Sequence, residues 1–369
     1  MHAIVANGFA EGPAEALRDY LVAHGSEVVT IFHPLAPEHG SRHVIARYAA
    51  GRQVDERHVD VRLRPPRSYA VDALVPLLPP RVDTWFGFNP LASARGLLQR
   101  RLGRARSVVL WSVDFVPDRF GPATLSTKVY DRLDRRCCTH ADARVELSEA
   151  ARDARNRRHG LGESTAPTHV VPMGAWLARV PQTSGEAFTG RRVVFLGHLV
   201  PRQGVEVLLE AVALLENVSA DVIGGGPLEQ ELRRRAAELH LAGSVRFHGF
   251  VPDHRDVERL LAEASIAVAP YRPDTFTQYA DPGKLKAYLA AGLPTVLTDV
   301  PPNAHELARE AGAEVVAYDA KALARAIDAG LANGERWRER RSAALSYVTR
   351  FDWEVLLSDL VRSLRLAVP

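Results

Sequence analysis

Short apolar runs alternate with amphipathic helical stretches from one end of this 369-residue chain to the other, and that alternation narrows its fold more than any other feature. Such a pattern builds parallel sheets covered by helices on both faces. In the first half, His2 to Ala6, Glu27 to Phe32, Asp83 to Phe88, Ser107 to Ser112 and Ala143 to Leu147 read as strands. Ala14 to His24 reads as a helix entered through a Gly-Pro turn, which completes one βαβ unit. Residues 37–70, rich in Arg, His and Pro without a clear period, read as a long excursion of the kind that is often functional. The pattern restarts at Arg192 to Leu196, followed by a Gly-punctuated loop and a helix over Gly204 to Leu215. Ser219 to Ile223, Val245 to Phe247, Ser265 to Ala269, Thr295 to Thr298 and Glu314 to Val316 supply the later strands. The expected fold class is therefore α/β, with two doubly wound parallel-sheet (Rossmann-like) domains facing a cleft. Residues 1–175 form the N-terminal, acceptor-side domain, 176–190 a linker, 191–349 the C-terminal domain, and 350–369 a helix packing back towards the N-terminal domain.

Composition excludes several classes. With 46% apolar and 25% charged residues the chain suits an ordinary soluble protein, and no apolar run approaches the roughly 20 residues that span a bilayer. The N-terminal sequence, MHAIVANGFAEG, lacks a basic region before its apolar stretch, so a cytoplasmic location is expected. Only two cysteines occur, the adjacent Cys137 and Cys138, which fits a reducing compartment, and metal-ligand spacing is absent. The net charge of +3 is uneven, with 25 basic and 19 acidic side chains in residues 1–180. Arginines bunch at Arg100, Arg101, Arg104 and Arg106, at Arg132, Arg135 and Arg136, and at Arg152, Arg155, Arg157 and Arg158. Such clusters can meet an anionic membrane surface or acceptor, or can form solvated helix faces paired with Asp131, Asp134 and Asp153. No aromatic-interleaved basic strand or reader motif points to nucleic acid.

The segment DPGKLKAYLAAGLP, Asp281 to Pro294, carries the strongest chemical signal. A Pro-Gly turn precedes good helix formers, so the first helical amides are expected to project unpaired, a setting that attracts phosphate. Lys284 and Lys286 fall in that turn, and they are half of the four lysines in a chain with 43 arginines. An ammonium meets phosphate as a compact point charge. A solvated helix face is the plain alternative.

Several segments together resemble the retaining glycosyltransferases of family four, which have the GT-B fold. In the second half these are FLGHLVPRQGVEVLLEAVAL (Phe195 to Leu214), VIGGGPL (Val222 to Leu228), HGFVPDHRDVERLLAEASIAVAP (ending at Pro270) and the Gly-x-Pro segment within Leu289 to Val296. WFGFNP, WSVDFVPDRF and VVPMG fit the first domain and hinge. The resemblance implies transfer of a sugar from a UDP- or GDP-sugar to an acceptor hydroxyl, with retention of anomeric configuration and with neither metal nor cofactor. It implies donor contacts at Gly8, Gly197, His198, Arg202, Gln203, Gly204, Gly225, Phe250, Val251, Gly283, Lys284 and Leu285. His198 and Gln203 stand where the family has arginine and lysine, so Arg202 and Lys284 are expected to replace the missing cations. The family's two glutamates are replaced by Tyr279 and Ala287, and Asp281 is the expected stand-in for the first, with a helix cap as its alternative role. Asp114 is the expected catalytic residue of the first half, and Asn89 and Arg119 lie on the acceptor side. The implied partners are a nucleotide sugar and a sugar, lipid-linked or small-molecule acceptor, with peripheral membrane contact through the basic N-terminal domain and no nucleic acid. The alternatives are a non-catalytic GT-B relative that binds a nucleotide or a partner enzyme, and epimerisation or hydrolysis of the nucleotide sugar.

Overall fold

The computed structural model describes residues 1–8, 12–35, 40–65, 67–72, 74–76, 78–162, 165–274 and 277–366. The chain forms two compact units, Met1–Pro172 with Glu354–Pro369, and Met173–Trp353.

The first unit contains strands β1 (His2–Asn7), β2 (Val28–His33), β3 (Arg42–Ala49), β4 (Arg52–Asp60), β5 (Val82–Gly87), β6 (Ala105–Ser112), β7 (Ala143–Glu146) and β8 (Thr168–Val170). They make one sheet in the order β4-β3-β2-β1-β5-β6-β7-β8. β1 is flanked by β2 and β5 in parallel register, Ile4 opposite Thr30 on one side and Phe86 on the other, which explains its nearly unbroken burial. Order reverses between β1 and β5, so the loops after these strands diverge at their carboxyl ends.

The stretch read as an excursion is largely an antiparallel hairpin, β3 and β4, added to the sheet edge. Its two-residue loop, Ala50 (φ 51°) and Gly51 (φ 74°), has the left-handed pair that a tight hairpin turn needs. β4, the edge strand, is exposed along almost its whole length and carries Arg52, Asp55, Glu56, Arg57 and Asp60. Charged edge positions discourage pairing with another chain.

A buried ionic group ties the far end of this sheet to its helices. Arg155, on the helix Glu149–His159, pairs with Asp134 of the helix Leu125–His140 and with Glu146 at the end of β7 (2.9 Å). It also donates to the Ser112 hydroxyl at the end of β6 and to the Asp114 carbonyl (2.8 Å). All three charged groups are nearly sealed from solvent, and His159 Nε2 lies 2.8 Å from Asp134. Arg155 is therefore no solvated cluster member, whereas Arg158 does pair near the surface with Asp131 and Asp118. The final helix, Trp353–Ser363, belongs to this unit from Glu354 onward and buries Leu357, Leu360 and Val361.

The second unit has β9 (Arg192–Leu196), β10 (Ser219–Ile223), β11 (Val245–Gly249), β12 (Ile266–Ala269), β13 (Thr295–Thr298) and β14 (Glu314–Val316). They form an all-parallel sheet in the order β11-β10-β9-β12-β13-β14. On β9, Val193 and Phe195 enter one core cluster and Val194 the other, as a strand covered on both faces requires. Order reverses between β9 and β12. Residues 176–190 pack on this unit, with Val180 in its core, Thr183 donating to the Ala264 carbonyl at 2.7 Å, and Gly185–Thr189 forming a short helix. Among the described residues no helix is long and apolar enough to cross a membrane.

Removing Arg155 would leave the buried carboxylates of Asp134 and Glu146 without their shared cation, so Arg155→Met is expected to lose about 3–5 kcal/mol of stability. Urea unfolding followed by circular dichroism measures this, and a midpoint equal to that of the parent chain would show that the ionic group contributes nothing.

Candidate functional site

The carboxyl ends of β9 and β10 release two glycine loops that pack backbone against backbone. At Gly224 (φ 131°) an added Cβ would fall 2.0 Å from the Gly197 carbonyl oxygen, and at Gly226 one would fall 2.6 Å from the Leu199 amide nitrogen. Gly204 (φ 64°) precedes the helix Val205–Val212, and its Cβ would lie 1.8 Å from the Pro270 carbonyl, just past β12. No side chain fits at that crossing of the two diverging loops. Gly225 is roomier, with nothing nearer than 3.4 Å.

Lys284 enters this setting from the helix Gly283–Ala290. Its Nζ donates to Gln203 Oε1 and lies above the rings of Phe195 (4.1 Å) and Tyr271 (4.8 Å). A Cβ at Gly197 would approach that Nζ to 2.8 Å, so the missing side chain is what lets the ammonium in. The helix is fastened by Tyr288, whose hydroxyl accepts from the Leu196 amide (2.7 Å) at the end of β9. Burial and the neighbouring Arg202 charge hold the Lys284 pKa well below the ordinary lysine value of 10.5. No carboxylate among the described residues pairs with Lys284. Two cations brought together make a place that favours an anion.

The other residues of the segment behave differently. Lys286 turns away, is almost fully buried, pairs with Asp281 and lies 4.5 Å from the Phe351 ring centre. The second Asp281 oxygen accepts from the Met173 amide at 2.7 Å. The helix cap is Pro282, without a side-chain cap bond, so Asp281 is not the cap, and its carboxylate is engaged on both oxygens. The Leu285 amide bonds back to the Pro282 carbonyl (3.0 Å) and its side chain lies in the core, so this amide does not project unpaired. Gly283 is half-buried against Met173. Ala287 packs against the core, and Tyr279 ends a short 3-10 turn, Thr277–Tyr279.

His198 is exposed, whereas Phe250, next to the Gly225 loop, leaves 72% of its surface open and Val251 is half-buried. His248 is a structural residue, its Nε2 2.7 Å from Asp221. The aromatic seat of Lys284, Phe195 with Tyr271, was not foreseen, because a buried aromatic at a strand end reads in sequence like any core residue.

In the first unit, Asp114 pairs with Arg119, whose guanidinium lies 5.5 Å from the Tyr130 ring centre. Asp114, Phe115, Tyr130, Asp134 and Arg155 line a small pocket. Asn89 caps the helix Pro90–Arg101 by accepting from the Ala92 amide (2.8 Å), and its own amide donates to Asn7 at 2.8 Å. The Gly8 amide donates to the His33 carbonyl (2.9 Å), and little stands against its open side.

Residues 190–333 match a family model described as glycosyl transferases group 1. The chain is 32% identical over 234 residues to a phosphatidyl-myo-inositol mannosyltransferase of Mycobacterium leprae (strain TN), covering 59% of this chain and 58% of that protein. It is 27% identical over 264 residues to a GDP-mannose-dependent alpha-(1-6)-phosphatidylinositol dimannoside mannosyltransferase of Mycobacterium tuberculosis (strain H37Ra), covering 67% and 65%. The aligned region thus spans 58–65% of the length of these curated relatives. Among solved structures, a sucrose-phosphate synthase of Thermosynechococcus elongatus superposes with a TM-score of 0.74 over 99% of this chain and 98% of that one, at 17% identity. The fold is GT-B, two α/β units of the Rossmann type.

The glycine geometry separates two neighbouring positions. Gly204→Ala is expected to cost at least about 2 kcal/mol, from a left-handed backbone and an immovable carbonyl. Gly225→Ala should stay within about 1 kcal/mol. Thermal unfolding of both variants measures the difference, and equal stability would refute the reading of the loop crossing.

Proposed function

Since the chain is a family-four-like GT-B protein, we propose that it moves a sugar from a nucleotide diphosphate sugar to an acceptor hydroxyl, with retention at the anomeric carbon and without a metal on the donor phosphates. The observation that carries this reading is the ammonium of Lys284, held at Gly197 by the amide of Gln203, with Arg202 beside it. In the transfer, the acceptor oxygen bonds to the anomeric carbon on the face from which the phosphate oxygen departs, the bond from that carbon to the phosphate oxygen breaks, and the hydroxyl proton passes to the departing phosphate oxygen. The electron pair leaves on the diphosphate. A preorganised cation and amides stabilise that charge as it develops. Gly225 leaves room for the phosphates to approach the backbone, Gly197 admits the Lys284 ammonium and Gly204 lets the loop cross Pro270, with His198 at the loop surface. The open face of Phe250, next to Val251, is suited to stacking on the base. Asp281 acts indirectly, by fixing Lys286 and the helix start that bears Gly283, Lys284 and Leu285.

In the first unit we assign Asp114, oriented by Arg119, to the acceptor hydroxyl. Asn89 holds Asn7 ahead of Gly8 at the strand switch. The mannosyltransferase relatives favour a hexose donor and a lipid-linked acceptor, with GDP or UDP as the nucleotide. A membrane-facing helix agrees with such an acceptor. On Leu125–His140, Leu125, Lys128, Val129, Arg132 and Arg136 follow one helical stripe and are all exposed, with Leu125 at 77%. The second reading, a non-catalytic nucleotide-binding relative, is favoured by Tyr279 and Ala287 in place of acids and by the fully engaged Asp281 carboxylate. Release of nucleoside diphosphate that requires an acceptor supports transfer. Release without acceptor indicates hydrolysis, and binding without any release supports the non-catalytic reading.

Lys284→Met is expected to weaken nucleoside diphosphate binding about tenfold or more, as loss of a charged hydrogen bond of roughly 1.5–3 kcal/mol implies. The depressed lysine must gain a proton to serve as a cation, so affinity should fall as pH rises through a range below 10.5 in the parent chain and stay flat in the variant. Calorimetric titration at several pH values checks both, and parallel pH curves would remove Lys284 from the site. Sedimentation with anionic vesicles should fall on adding salt and in Leu125→Glu with Val129→Glu. Unchanged sedimentation would exclude this helix as the membrane contact.

A further inference from the structure

Three buried side chains from separate elements converge in the first unit: His33 at the end of β2, His43 near the start of β3, and Asp72 in the short helix Tyr69–Asp72. His33 Nδ1 and His43 Nδ1 are 2.7 Å apart, and Asp72 Oδ1 lies 3.9 Å from the first and 3.8 Å from the second. The circle through these three atoms has a radius of about 2.1 Å, so one point stands at bonding distance from all three, within the roughly 2.0–2.2 Å of zinc–nitrogen and zinc–oxygen bonds.

A second observation points the same way. Asp72 is 2% exposed, yet its Oδ1 has no hydrogen-bond partner among the described residues. A carboxylate oxygen sealed from water without a donor is costly, and here it faces two ring nitrogens. The other oxygen is committed, since it accepts from Asn7 Nδ2 at 2.8 Å, and Asn7 is held in turn by Asn89. Arg95 donates to the backbone carbonyls of Asp72, Val75 and Pro76, so the segment that presents the carboxylate is braced without using it.

We propose that the first unit binds one divalent cation of the zinc class through His33 Nδ1, His43 Nδ1 and Asp72 Oδ1. Two imidazoles with one carboxylate suit zinc and its neighbours rather than magnesium or calcium, which prefer all-oxygen shells. Three protein ligands leave a further coordination position on the ion. Asn7 and Asn89 supply the outer hydrogen bonds that orient the carboxylate. Because the Gly8 amide bonds to the His33 carbonyl, the cation would also fix the first residue of the loop after β1. The three ligands stand far apart in sequence and on different elements, which is why no spacing motif announces them. This site stands independently of the transferase reading.

The test uses the full chain without a histidine tag, stripped by chelator and dialysed against zinc alone. One zinc per chain by atomic emission is expected, with affinity more than about 100-fold weaker in Asp72→Asn and in His43→Gln, beyond the 10–100-fold typical of outer-shell losses. Saturating zinc should raise the unfolding temperature of the parent chain and not of Asp72→Asn. Cobalt(II) should give intense visible absorption in the parent chain. If the parent chain retains no more zinc than Asp72→Asn, or cobalt shows only its weak aqueous spectrum, the proposal is wrong and the two rings simply share a proton. Should His43→Gln fail to fold, the isosteric Asp72→Asn and the cobalt spectrum still decide.

Discussion

The arrangement at the glycine loops depends on one hydrogen bond, from the ammonium of Lys284 to the amide oxygen of Gln203. A glutamine at 203 brings no charge of its own, but it offers an acceptor that draws a cation in from a helix start across the sheet's switch point. The aromatic faces of Phe195 and Tyr271 complete the seat, and ring faces attract a cation once water is removed. Bare backbone at 197 and 224 is the other half of the arrangement, since a side chain at either position would push the loops apart or displace the amine. Lys284 thus brings a charge to the Gly197 loop from a later part of the chain.

Much of the architecture was legible because the strands of both sheets are apolar runs bounded by turn residues. β9, β10, β13 and β14 lie where the pattern put them, since a strand buried on both faces leaves a continuous apolar signature. The hairpin of β3 and β4 was hidden for the opposite reason. An edge strand made of Arg, Asp, Glu and His presents no apolar face, and only Ala50-Gly51 marked the turn.

The site was legible as a location and less so in its bonding. That a Pro-Gly turn, a helix and a glycine loop belong together could be read from the sequence. That Lys284 and Lys286 point to different places could not, because two residues apart on a helix means roughly opposite faces, and the partner of each is set by tertiary structure. Asp281 taking a backbone amide eight strands and helices earlier, at Met173, has no local signal at all. The arginine clusters divided in the same way, with Arg155 drawn inside by Asp134 and Glu146 while Arg132, Arg135 and Arg136 stayed at the surface.

The first unit is discontinuous, since Met1–Pro172 is completed by Glu354–Pro369. A ribosome must therefore finish the whole second unit before the apolar side chains of Leu357, Leu360 and Val361 can close the first. The order in which the two units begin is thus the reverse of the order in which they can be completed.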